Sequence, residues 1–282
     1  MQIVRTVAET RAALRALRSK GLTIGLVPTM GALHAGHLSL VRAAREQCDT
    51  VVVSIFVNPT QFGPKEDFSK YPRTFDADCE LLEEEKVDVL FAPGVDEMYL
   101  SGSTTFVTVD EIGDRLDGAS RPGHFRGVAT VVAKLFHIVG PDKAYFGQKD
   151  AAQVAVLRRM VRDLNFPLEM VACPTVREPD GLAMSSRNRY LLPEDRTHAL
   201  VLSRALFRTE ERVADGTFAA QTLVDDAVTA LAAEPHVRLD YFRIVDPDTL
   251  LDVEDVCNGA LIAVAAFVGS TRLIDNILIA PR

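Results

Sequence analysis

The run Val51-Val52-Val53-Ser54-Ile55-Phe56-Val57 constrains this chain more than any other segment. Its near-continuous apolar, β-branched character is that of a parallel strand covered on both faces, and Asn58-Pro59 stops it. A parallel strand needs crossover connections, and the surrounding pattern supplies them. Helical spacing over 7–20, closing at Gly21, leads to a short apolar strand over 23–27. A Pro/Gly turn follows, then a helix with Leu38, Val41, Ala44 and Arg45 at helical spacing. A helix over about 76–85 precedes a strand at 87–91, a helix over 128–139 a strand at 143–146, and a helix over 151–164 a strand at 168–173. Repeated βα units of this kind imply an α/β fold, a doubly wound, Rossmann-like parallel sheet.

After about Arg189 the pattern changes. Two helices, 198–214 and 217–233, precede strands at 238–245, 260–268 and 272–279, with Gly269-Ser270 as a hairpin turn between the last two. This predicts a smaller α+β C-terminal domain. The division is set at 1–176 and 177–282, within a junction that extends to Pro193.

Composition narrows the class. Of 282 residues 48% are hydrophobic and 25% charged, with a net charge of −8, so the chain supports a sizeable core and lacks the basic excess of a broad nucleic-acid footprint. A local basic cleft for a small anion remains compatible with that balance. Cys48, Cys79, Cys173 and Cys257 are scattered without a C-x-x-C pair, as in a reduced cytoplasmic protein. The N-terminus shows no apolar signal segment, and Thr6-Val7-Ala8-Glu9 reads as a capping box. The longest apolar runs are strand-sized, so no transmembrane helix is expected.

The chemistry concentrates in Pro28-Thr29-Met30-Gly31-Ala32-Leu33-His34-Ala35-Gly36-His37, between a buried strand and a helix. In a doubly wound sheet ligands bind at the carboxyl ends of strands. Glycines let backbone N–H groups approach a ligand, and a helix N-terminus favours anions. His34 and His37, three apart, share a helix face and can donate to phosphate oxygens. The turn alone is equally compatible with a structural role. The H-x-x-H pair also suits zinc, although it lacks the adjacent Glu of a zincin and an obvious third ligand. The segment is neither a Walker A loop nor a G-x-G-x-x-G fingerprint.

The His34-Ala35-Gly36-His37 tetrad resembles the HIGH signature of a nucleotidyltransferase superfamily, and Met184-Ser185-Ser186-Arg187-Asn188-Arg189 resembles its M-S-K-S loop. The wider set is Ser54 to Gly63, Tyr71 to Thr74, His124 to Val128, Tyr145 to Asp150 and Asp180 to Leu191. Together these motifs resemble the pantothenate synthetase (pantoate–β-alanine ligase) family, in family order, across most of the first domain and into the second.

That resemblance implies an ATP-dependent condensation of (R)-pantoate with β-alanine through a pantoyl adenylate, with release of pyrophosphate and AMP. It implies that His34 and His37 stabilise the phosphates, His37 as proton donor. Met30 and Gly31 contact the nucleotide, within an ATP-binding stretch that continues through Ala32, Leu33, Ala35 and Gly36. Gln61 and Gln153 hold pantoate, and Gln61 also positions β-alanine. Gly147, Gln148, Lys149 and Asp150 form a second nucleotide element, with Lys149 on the phosphates and Asp150 on the ribose; the family more often has Glu where Gln148 stands. Val176 meets adenine through its backbone. Met184, Ser185, Ser186 and Arg187 form a further ATP-binding loop in which Ser185 and Arg187 close over the phosphates, Arg187 in the role of the motif's lysine, and no serine acts as nucleophile. The segment from Arg121 to Gly127 is expected as a mobile cover. Magnesium is expected with ATP, with Asp78 as candidate ligand and Asp76 a weaker one; some members have an Asp at the position of Ala77. A homodimer is implied too. Two other readings stay open: a different HIGH-motif enzyme that makes a dinucleotide, and a nucleotide sensor without activity.

Overall fold

The computed structural model describes residues 1–64, 66 and 68–282. By contacts the chain divides into two compact units. The first comprises Met1–Asp114, Gly118–Gly147 and Val156–Cys173; the second comprises Arg115–Asp117, Gln148–Ala155 and Pro174–Arg282. The main division thus falls three residues before the predicted one, and the short segment 148–155, expected in the first domain, goes with the second.

The first unit is a six-stranded parallel sheet with helical crossovers. In chain order the elements as far as its last strand are β1 (Gln2–Val4), α1 (Val7–Arg18), β2 (Ile24–Thr29), α2 (Ala35–Gln47), β3 (Thr50–Ile55), α3 (Phe75–Glu84), β4 (Val89–Phe91), the short α4 (Val95–Met98) and α5 (Asp117–Ser120), α6 (His124–Val139), β5 (Lys143–Gly147), α7 (Ala151–Asp163) and β6 (Glu169–Cys173), with Asp117 of α5 and the part of α7 up to Ala155 grouped with the second unit. Strand order is β1-β4-β3-β2-β5-β6, every pairing parallel. From β2 the chain winds outward through β3 and β4, then returns to place β5 and β6 on the other side. The reversal between β2 and β5 is where a doubly wound sheet opens a crevice at its carboxyl edge.

Central β3 is buried on both faces, as its composition requires: Val51, Val52 and Val53 are fully inaccessible. Full burial of each such valine contributes about 1.5–3 kcal/mol. The strand ends two residues earlier than read, at Ile55, and the Phe56 N–H makes a last bond to the Thr29 carbonyl (3.0 Å). The capping box of α1 forms, with the Thr6 hydroxyl accepting from Glu9 N–H and the Glu9 carboxylate from Thr6 N–H. Three-residue β1 was not anticipated, being too short to show a period. Helix α6 begins at His124 rather than near 128, and twelve of its sixteen residues are buried.

The second unit carries α8 (Pro193–Ala214), α9 (Ala220–Ala232) and an antiparallel sheet β7 (Val237–Val245), β8 (Ala260–Val268) and β9 (Thr271–Ile279). Leu202 and Leu206 of α8 and Leu223 and Leu231 of α9 pack with Ile262, Val264, Ala266 and Val268 of β8 in one apolar core. Helix α8 starts five residues before its predicted start, because Pro193 at the first helical position lacks only an N–H that has no helical partner there. Among the described residues no helix is long and apolar enough to cross a membrane.

Candidate active site

The turn after β2 is built by a carboxylate from α3. Gly31 has φ +80, and a side chain there would stand 3.0 Å from Asp78 Oδ2 and 3.1 Å from Ile55 Cγ2. Glycine therefore lets the turn close onto Asp78. The Ala32 N–H donates to Asp78 Oδ2 (2.9 Å), the Leu33 N–H to Asp78 Oδ1 (2.8 Å), and the Thr74 hydroxyl to Oδ1 (3.2 Å). Asp78 is 2% exposed. The carboxylate anticipated as a magnesium ligand thus already accepts three hydrogen bonds inside the protein, two of them from the turn itself.

These bonds also revise which groups of the turn can meet a ligand. The Gly31 N–H goes to Thr29 Oγ1 (3.2 Å), those of Ala32 and Leu33 to Asp78, that of Gly36 to His34 Nδ1 (3.2 Å) and that of His37 to the His34 carbonyl (2.8 Å). Ala32 and Leu33 are buried. The imidazoles at the start of α2 are the side-chain donors this turn presents. His34 is the N-cap of α2 with extended backbone, and its ring lies 4.1 Å, centroid to centroid, from that of His37. Accepting the Gly36 N–H at Nδ1 places the proton of neutral His34 on Nε2, which makes that nitrogen a donor.

Gln61 belongs to the same unit and is held just as closely. It ends a single 3₁₀ turn, Pro59–Gln61, capped by Asn58, whose Oδ1 accepts from Thr60 N–H (3.3 Å). Asn58 Nδ2 donates to Gln61 Oε1 (3.0 Å) and to the Gly127 carbonyl (3.1 Å), and the Tyr99 hydroxyl donates to Asn58 Oδ1 (2.8 Å). Gln61 Nε2 reaches Met30 Sδ at 3.2 Å, which joins the pantoate candidate to the nucleotide turn. Helix α6 approaches this 3₁₀ turn so closely that a Cβ on Gly127 would sit 2.4 Å from the Thr60 carbonyl oxygen and 2.7 Å from Gln61 Cα. Burial of Tyr99 raises its phenol above the ordinary range, so it serves here as a neutral donor.

The segment from Arg121 to Gly127, expected as a mobile cover, is tied by hydrogen bonds to Glu66 and to the Gln61 carbonyl. Its last four residues are the first turn of α6, with Phe125 and Gly127 buried. Arg121 clamps Glu66 with both Nε and Nη2 at 2.7 Å, and its Nη1 lies 2.9 Å from His124 Nε2. With Arg121 as donor to Nε2, His124 Nδ1–H donates to the Gln61 carbonyl (2.8 Å). The Arg121 hydrogen bonds, helped by its charge and by the Gly63 amide, hold Glu66 down to about 2 against burial. The Gly/Pro punctuation that suggested mobility shapes the entry to a helix.

The remaining candidates lie at or in the second unit. Gly147 ends β5, and Gln148–Asp150 form a 3₁₀ turn into α7. Asn276 of β9 fixes that turn, donating through Nδ2 to the carbonyls of Gln148 (3.0 Å) and Lys149 (2.8 Å). Lys149 is only 18% exposed at its side chain, and its Nζ is 3.9 Å from Asp150 Oδ1. Gln153, in the first turn of α7, is half-buried. The Met184 N–H donates to the Val176 carbonyl (2.9 Å), so the adenine candidate and the M-S-S-R loop are neighbours across a short two-stranded turn. Ser185 caps the 3₁₀ helix Ser186–Tyr190, its hydroxyl accepting the Arg187 N–H (3.2 Å). A structural cap is a sufficient occupation for that serine. Asn188 donates to Glu178 (2.6 Å) and the Ala183 carbonyl (3.0 Å), while Arg177 forks onto Asp275 (2.6 and 2.9 Å).

Asn58, Tyr99, Glu66 and Asn276 escaped the sequence reading. Asn58 was visible only as the stop before Pro59; the other three act through partners far away in sequence, and nothing local marks them.

Comparison with known proteins bears on what such a site does. The family model described as pantoate-beta-alanine ligase matches residues 2–278. A pantothenate synthetase of Acidobacterium capsulatum is 65% identical over 290 residues, an alignment covering 99% of this chain and 97% of that protein. A crystal structure of pantothenate synthetase from Thermus thermophilus matches at TM-score 0.95 and 52% identity, with 100% of each chain covered. A pantoate-beta-alanine ligase from Francisella tularensis, complexed with beta-gamma ATP and beta-alanine, matches at TM-score 0.81 and 35% identity over 99% of this chain and 97% of that one. The chain belongs to the pantoate–β-alanine ligase family, and it is a ligase that joins pantoate to β-alanine.

Proposed function

We propose that the ligation consumes ATP and proceeds through a pantoyl adenylate. The carboxylate oxygen of pantoate attacks the α-phosphorus, forming an acyl–phosphate bond as the α–β bridge breaks and pyrophosphate leaves. The amine of β-alanine then attacks the acyl carbon, forming the C–N bond and expelling AMP, while the amine proton passes to solvent. No covalent enzyme intermediate is needed. The observation that carries this reading is the paired imidazoles at the start of α2, His34 with Nε2–H as donor and His37 beside it at 4.1 Å. Donors at a helix N-terminus suit negative charge that grows on the phosphates in the transition state.

Gln61, gripped by Asn58 and set against Met30, binds pantoate and helps position β-alanine, with Gln153 a second pantoate ligand. Lys149 and Arg187 supply charge to the phosphates, Asp150 binds ribose, and Val176 meets the adenine. Magnesium accompanies ATP and neutralises phosphate charge. The buried, triply bonded carboxylate of Asp78 does not fit a ligand role for that ion. The same reading makes the enzyme a cytoplasmic homodimer, a state that sedimentation analysis measures directly.

The test is AMP formation from ATP, magnesium, pantoate and β-alanine, which should depend on both acids. With ATP and pantoate alone, labelled pyrophosphate should exchange into ATP. An absolute requirement of that exchange for β-alanine would contradict the adenylate route.

A further inference from the structure

A second cluster of chemistry-bearing side chains, none of them among the candidate site residues, lies wholly within the second unit. Glu194 and His198 sit one turn apart on α8 and so share a face. His236 lies in the connection between α9 and β7, and Glu234 just after α9. One ligand atom from each of Glu194, His198 and His236 lies within 4.8 Å of the others, the sole grouping of this kind among the described residues. The two imidazoles stack, centroids 4.8 Å apart and planes 12° from parallel.

The carboxylates around the rings set their tautomers. His198 Nδ1 is 2.5 Å from Glu234 Oε1, and an ionised carboxylate only accepts, so the proton sits on Nδ1. That leaves Nε2 with its lone pair. His236 repeats the arrangement more loosely, Nδ1 facing Asp195 Oδ1 at 3.5 Å and Nε2 facing Glu194 Oε1 at 3.8 Å. A histidine whose one nitrogen is held by a carboxylate while the other is presented as a base is the arrangement metal-bound histidines use. The electrostatics agree: three carboxylates surround two imidazoles, and neutral rings leave a local charge that a dication offsets.

We propose that Glu194, His198 and His236 bind a divalent transition-metal cation of the Zn²⁺ class, with Glu234 and Asp195 orienting the two imidazoles. Two nitrogens and one carboxylate oxygen suit zinc, with water completing the coordination. Tetrahedral zinc ligands stand about 3.3 Å apart at bond lengths near 2 Å, so the ligand atoms close by roughly 1.5 Å at most; because each imidazole lone pair lies in its ring plane, binding also turns the half-exposed His236 ring out of the stack. Glu194, 73% exposed at its side chain, is free to make that movement. The ion would tie the first turn of α8 to the start of β7, a structural role independent of the ligase reaction.

Equilibrium dialysis of the full-length protein against micromolar Zn²⁺, followed by metal analysis, tests this. One zinc per chain is expected. His236→Asn and Glu194→Gln should each weaken binding at least tenfold, and Glu234→Gln by about 10–100-fold. His236 is half exposed with φ +65, a conformation asparagine also tolerates, so its variant should melt like the parent without metal. Co²⁺ substitution should give a nitrogen–oxygen spectrum without a thiolate charge-transfer band, which separates this site from exposed Cys257. Substoichiometric binding, binding unchanged in both variants, or a thiolate band would overturn the proposal.

Discussion

Asp78→Asn separates two jobs that one carboxylate could hold, turn support and metal binding. In the native chain its two oxygens receive the Ala32 and Leu33 N–H groups separately, at 2.9 and 2.8 Å. Asparagine has the same shape but offers one oxygen; its NH₂ then faces a buried backbone donor. One charge-assisted bond is lost, worth about 1.5–3 kcal/mol, and the bond that survives weakens from charged to neutral. With the stranded amide included, about 2–4 kcal/mol is a reasonable total, or roughly 5–15 °C in melting temperature for a unit of this size. Release of the turn also shifts His34 and His37, and a displacement of about 1 Å at reacting groups costs on the order of 100-fold in rate. The assays are thermal denaturation without nucleotide or metal, and pantoate-dependent pyrophosphate exchange across a magnesium series. Both losses should persist at every magnesium concentration. An unchanged melting temperature with exchange restored by excess magnesium would refute the reasoning and return Asp78 to the metal.

Three further outcomes follow from particular contacts. Gly127→Ala puts a methyl 2.4 Å from the Thr60 carbonyl, so it should cost about 1–3 kcal/mol and raise KM for pantoate by moving Gln61; Gly94→Ala, with nothing within 4 Å, is the control. Glu66, held at about 2 against an ordinary 4.5, contributes stability that is fully present above about pH 4.5 and lost as pH falls toward 2. Urea midpoints of Glu66→Gln and the native protein should accordingly differ at pH 7 and converge near pH 2, and a gap that widens in acid would contradict the Arg121 pairing. His37→Ala should lower pyrophosphate exchange by about 100-fold or more with an unchanged far-ultraviolet dichroism spectrum.

What the sequence made legible followed a physical pattern. Strands β3 and β8 were readable because burial on both faces demands long apolar runs, and Thr6-Val7-Ala8-Glu9 because a capping box is local. The site's residues were readable mainly through family motifs; local rules left the turn after β2 evenly divided between binding and support. What escaped was long-range. Asp78 lies 45 residues from the Leu33 amide it holds, so it was read as a candidate magnesium ligand and not as the support of that turn. Asn58 looked like a strand stop, yet its side chain gathers Thr60, Gln61, Tyr99 and the Gly127 carbonyl. The hydrogen bonds that Arg121 and His124 make could not be read from their own segment, because the partners Glu66 and Gln61 are some 60 residues upstream.

The opposition between a binding turn and a structural one dissolves at His34. Capping α2 obliges its Nδ1 to accept the Gly36 N–H, and that obligation moves the neutral ring's proton to Nε2. A ring fixed by its cap has a fixed tautomer and a fixed direction of donation, which a solvent-exposed histidine lacks. Electrostatic stabilisation of a transition state depends on donors oriented before charge develops, since reorientation during reaction would consume the gain. The same economy appears at Gln61, whose side-chain Oε1 is held by Asn58, and at the Lys149 turn, whose backbone carbonyls are held by Asn276. Helix caps, close glycine contacts and long-range amide bonds therefore serve as the device that aims the polar groups, and variants that loosen them should behave kinetically like variants of the groups they aim.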